Sequence, residues 1–96
     1  MTVQIVENFM IASKKYHKQL SWDDGQLYCV MLNEIYNDWR MPNVREIKLM
    51  FKNGIIRSNC WTDDTYKSIA MYMNANGTLI WQVRELNYWV IPVRTL

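Results

Sequence analysis

"NDWRMPNVREIKLMF", Asn37 to Phe51, places a Trp-Arg pair directly before a proline and what reads as a helix start. The residue before Pro42 is pushed out of the helical region, so a helix arriving from the N-terminal side must end by then. Asn43 caps a new one, with Glu46 at its third position completing a capping box. The predicted helix runs from about Val44 to Lys52, with Val44, Ile47, Met50 and Phe51 on its apolar face and Arg45, Lys48 and Lys52 on its wet face. Asn53 and Gly54 stop it. Trp39 is expected to plug the core between two helices and a sheet, because a large aromatic buries about 150 to 250 Å². Arg40 then needs a carboxylate or backbone carbonyls, and Asp38 is the nearest candidate.

Upstream, "SWDDGQLYCVMLNEI" predicts another helix capped by Ser21, with Asp24 three residues on and Leu27, Tyr28, Met31, Leu32 and Ile35 on one face. Gly25 is a tolerated blemish near its start. Before it, "TVQIVENFMIASKK" reads as one or two extended segments around Phe9 to Ala12. Downstream the period changes to two. Ile69, Met71 and Met73 alternate with Ala70 and Tyr72, and Leu79, Trp81 and Val83 with Ile80, Gln82 and Arg84. Between them "NANG", Asn74 to Gly77, supplies a hairpin turn. A last strand, "YWVIPVRT", contains Pro92, which predicts an edge or a bulge. The expected fold class is α+β: two short helices packed on an antiparallel sheet, in a single domain spanning residues 1–96.

Composition narrows the function classes. Half the chain is apolar and 21% is charged, which is a globular and not a disordered profile. A net charge of +2, with one short basic run at Lys14, Lys15 and Lys18 beside Tyr16, is too weak for a dedicated nucleic-acid footprint. The start lacks a basic segment followed by an apolar run, so neither a signal peptide nor a membrane span is predicted. Cys29 and Cys60 are then expected as reduced thiols in a cytoplasm. Residue usage heavy in Asn, Lys, Ile, Tyr and Met suits an AT-rich genome of the kind many phages carry.

"LSWDDGQLYC", "DWRMPNVREIKLM", "CWTDD", an apolar hairpin and the terminal "YWVIPVR" follow one another in an order that resembles the Lcl C-terminal domain family, bacterial and phage modules with a C-type-lectin-like fold. The likeness covers about Leu20 to Arg94. Trp22, Tyr28 and Cys29 match the family's first helix, and Asp38, Trp39, Arg40 and Pro42 its central motif. Glu46 and Ile47 match its second helix, Trp61 and Thr62 its Trp-Ser/Thr strand, and Val93 with Arg94 its ending. The resemblance implies that these are structural positions. Where the family often has a cysteine just before the final Val-Arg this chain has Pro92, so Cys29 has no such C-terminal partner here.

No catalytic set is legible. His17 is the only histidine and its lysine neighbours are expected to keep it solvated. Asp23 and Asp24 sit in a helix's first turn, where they complement the macrodipole. Asp63 and Asp64, with Asn59 and Thr62, offer oxygen ligands of the kind Ca²⁺ takes, but the Glu-Pro-Asn and Trp-Asn-Asp elements of calcium-dependent lectins are absent. The three glycines are isolated from one another, which disfavours a phosphate loop. No metal, cofactor or enzymatic activity is expected.

Aromatic residues are in surplus. Trp61 and Trp81 are expected to cap the core. With the helices on one side of the sheet, Tyr66, Tyr72, Arg84 and Tyr88 are left as an exposed partner-binding patch. The expected function is a small non-catalytic recognition module that binds another protein, a profile fitting a phage or mobile-element effector acting on a host factor. The alternative is a carbohydrate-binding module with Trp or Tyr stacking on sugar rings.

Overall fold

A computed structural model describes residues 3–96. The chain forms β1 (Gln4–Val6), β2 (Phe9–Ile11), a 3-10 turn (Lys14–Tyr16), β3 (Lys18–Leu20), α1 (Trp22–Met31), α2 (Val44–Lys52), β4 (Cys60–Tyr66), β5 (Ile69–Met73), β6 (Leu79–Val83), β7 (Tyr88–Val90) and β8 (Val93–Thr95). It is an α+β fold with two sheets. A three-stranded sheet runs β1-β2-β8, and a five-stranded sheet runs β3-β7-β4-β5-β6. Pairing is antiparallel except at β4 and β7, which meet in parallel at Cys60 and Trp89. No helix among the described residues is long and apolar enough to cross a membrane.

Pro92 sits at the crossing between the sheets. It has no N–H to give a ladder, so it separates β7 in the large sheet from β8 in the small one. Its carbonyl accepts from the Ala12 amide at 2.9 Å, which ties the crossing to the chain leaving β2.

The helices lie on opposite faces of the large sheet, not on one side as expected. The burial pattern gives the reason. Residues sharing a face of paired strands are those in register, so Cys60, Met73 and Leu79 look one way, and Trp61, Tyr72 and Ile80 the other. The first set packs with Ile47 and Met50 of α2, the second with Trp22 and Cys29 of α1. Both faces are apolar because both are covered, and simple alternation could not say which set faced inward. Ala70, Tyr72 and Met73 are buried, while Ile69 and Met71 are half-buried, so burial follows which part of each face a helix covers and not strand parity alone.

The first helix is also shorter and differently turned than expected. It ends at Met31, and the following Leu32 is extended. Trp22, Gly25 and Cys29 form its buried side, while Leu27, Val30 and Met31 face solvent. Gly25 is no blemish. A Cβ there would stand 2.5 Å from a Val90 methyl, so the residue lets the helix lie directly on β7. The second helix matches its expected bounds. Asn43 accepts from the Glu46 amide at 2.8 Å while the Glu46 carboxylate accepts from the Asn43 amide at 2.9 Å, a complete capping box.

Candidate functional site

The Trp-Arg-Met-Pro stretch is a clasp between the two sheets and the second helix. Arg40 pairs with Val93 in both directions through backbone bonds of 2.8 Å. Its guanidinium donates two bonds of 2.7 Å to the Glu46 carboxylate and one of 2.8 Å to the Thr95 hydroxyl. Its carboxylate partner is therefore Glu46, not Asp38. Asp38 instead accepts from Arg94 at 2.6 and 3.1 Å, and Arg94 lies over the Tyr36 ring. Trp39 is buried as expected, but against Met10 and Ala12 beside the small sheet and with Leu32, and its indole N–H donates to the Glu34 carbonyl. Met41 and Pro42 are fully buried, and the Pro42 carbonyl accepts from the Asp63 amide at 2.9 Å. These residues hold the molecule together.

Glu46 shows what the clasp costs and returns. Burial would raise its carboxyl, but the Arg40 bonds and the Asn43 amide outweigh that and hold it below the ordinary glutamate value.

The four residues expected as an exposed patch do not form one. Tyr72 is only 8% exposed, and its ring lies 4.3 Å from that of Tyr88, with both against Trp61. The α1 side of the sheet thus supplies the partner thought to be missing. Arg84 is also occupied: it donates to Asp23 at 2.5 Å and to the Lys67 carbonyl at 3.0 Å, and it lies over the Trp22 ring at 4.5 Å. It fastens the start of α1 to the outer end of the meander. Tyr66 alone is open, at 59% exposure.

Trp81 is the residue that sequence reasoning placed wrongly. It was expected in the core and is 44% exposed. Register puts Tyr66, Ile69 and Val83 in one row across the sheet, with Met71 and Trp81 in the next row on the same face. Beyond them Cys60, Met73 and Leu79 pack with α2. The helix covers only that end, so the outer rows remain an apolar patch open to solvent. It is bounded by β6, the last strand of its sheet among the described residues, which carries neither a proline nor a charge. Native sheets usually guard such an edge with Lys, Pro or a bulge. A partial signal was present: every residue of "LIWQV" is uncharged, but that the later strands pair elsewhere and leave β6 at the edge is decided by the fold.

A second apolar surface lies on the far side of the sheet, where Leu27, Val30 and Met31 stand out from α1 and Ile35 follows at φ +66°. It holds no Trp and is crossed by the acidic residues of the helix start, Asp23 and Asp24.

His17 is only partly solvated. Its Nε2 donates to the Ala12 carbonyl at 2.9 Å, and burial lowers its pKa from the ordinary histidine value. Cys29 and Cys60 are buried free thiols, and burial pushes Cys29 up to about 12 and Cys60 higher still. Such thiols are poor nucleophiles. Asp63 and Asp64 adjoin on β4, where desolvation and then the Asp64 charge raise the Asp63 carboxyl. No group of three or more His, Cys, Asp or Glu side chains at metal-holding distance occurs among the described residues. No family model matches the chain, and no curated protein is detectably similar to it.

Proposed function

We propose that this chain is a non-catalytic recognition module that binds a protein partner through the open end of the large sheet and the β6 edge. The observation that carries the reading is the single face shared by Tyr66, Ile69, Met71, Trp81 and Val83, ending at an edge strand without charge or proline, where the Gln82 side chain occupies the Val83 amide. Tyr and Trp are the side chains most enriched at binding hot spots, and an uncharged edge offers backbone groups to an incoming extended segment. The partner is a protein that adds such a segment beside β6 and lays its apolar side chains over Trp81. Free, buried thiols suit a cytoplasmic setting. A C-type-lectin-like architecture of the Lcl C-terminal kind is proposed with it, supported by the position of Trp39, Arg40 and Pro42 at the junction of helix and sheets.

Binding of the protein recovered on immobilised chain tests this. Trp81→Ala and Tyr66→Ala should each weaken it by about 2 kcal/mol or more, roughly thirtyfold, while Leu27→Ala leaves it unchanged. Saturable binding to a glycan array that Trp81→Ala abolishes, with no protein retained, would replace this reading with the carbohydrate one. Concentration-dependent dimerisation that Trp81→Ala removes would make the occupant a second copy.

A further inference from the structure

A cleft opens where the 3-10 turn faces the segment between α2 and β4. Its inner part has a volume of about 270 Å³ and a floor of Ile55, Ile56, Trp89 and Ile91. Its outer part is wider, shares Lys14, His17, Ile55 and Arg57 with the inner part, and adds Lys15. No Asp or Glu lines either part. The ion pairs among the described residues use Arg40, Arg45, Arg84 and Arg94, so Lys14, Lys15 and Arg57 enter the cleft rim without a carboxylate partner. His17 is a weaker cation than a free histidine, since burial of its ring lowers its pKa and outweighs the Ala12 carbonyl bond, which favours the charged form. Ser13, in the wall of the outer part, has a buried hydroxyl without a hydrogen-bond partner.

An apolar floor beneath a rim of unpaired cations is matched to one kind of small molecule. The body must be apolar and the head anionic. An apolar cavity of about 150 Å³ takes benzene, so this one accepts a body of one or two rings. Arg57 presents a planar fork suited to carboxylate oxygens, with two lysines adding charge beside it. We propose that this cleft binds a small aromatic carboxylate, its ring system on Ile55, Ile56, Trp89 and Ile91 and its carboxylate at Arg57 and Lys14. The cleft shares no residue with the open sheet end, and the two readings stand or fall separately.

Titration of the ¹⁵N-labelled chain with 1-naphthoate tests the assignment. The expected result is saturable movement of the Trp89 indole signal and of the amides of Ile55–Ser58, with the Trp81 indole signal still. Uncharged 1-naphthol should bind about tenfold more weakly, and Arg57→Gln, an exposed change, should weaken 1-naphthoate by roughly fivefold or more. Equal affinity for naphthol and naphthoate, unchanged affinity in Arg57→Gln, or movement at Trp81 in place of Trp89 would each overturn it.

Discussion

Glu46 joins three tasks in one carboxylate: it closes the capping box of α2, holds Arg40 by two bonds, and does so while 4% exposed. Its carboxyl is depressed in the folded chain, so the stabilisation is present above its ordinary value near 4.5 and is lost as pH falls through the lower folded value. Glu46→Gln keeps the shape and removes the charge. It should lose about 1 to 3 kcal/mol near neutral pH, a range kept modest because the Arg40 side chain is 35% exposed and partly screened. Urea melts should also show a shallower acid dependence below about pH 4.5 than in the parent. Equal stability of the two proteins at neutral pH would contradict the clasp. At this scale the sequence was half legible. The Asn43 and Glu46 cap is local, three residues apart, and could be read directly. Asp38 and Arg94 are 56 residues apart, so nothing short of the fold could pair them and release Arg40 for Glu46.

Elements repeat the pattern. The bounds of α2 follow from its cap, its amphipathic stripe and the Asn-Gly stop, all within its own sequence. The orientation of α1 does not, because apolar residues lie on both of its sides and its buried side is chosen by a close approach to β7. Gly25 is where that approach is made. Gly25→Ala should cost a net loss of about 1 to 2 kcal/mol, since overpacking against the fully buried Val90 outweighs the roughly 1 kcal/mol gain in helix propensity. Adding Val90→Ala in the same chain should cost less than it does alone, because the new methyl occupies the space released. Gly25→Ala more stable than the parent in urea melts would mean that the helix does not lie on β7 as described. The hairpin turn was readable because Gly77 takes φ +83°, a conformation the Asn-Gly pair anticipates.

Over the whole molecule, placing a helix on each face of the large sheet decides what is left exposed. The expected patch of Tyr66, Tyr72, Arg84 and Tyr88 assumed one bare face, yet α1 covers Tyr72 and pins Arg84 to Asp23. The bare area is the end of the opposite face, past the reach of α2, and Trp81 is its largest side chain. How far a nine-residue helix reaches across a sheet is set by packing and loop geometry, which no periodicity encodes. Hydrogen exchange in the complex with the captured partner tests the docking claim most directly. Pairing beside β6 should slow exchange of amides within Leu79–Val83 by about tenfold or more, with those of Leu27–Met31 unchanged. Protection confined to Leu27–Met31, with Leu79–Val83 exchanging as in the free chain, would move the interface to the outer face of α1 and contradict the account.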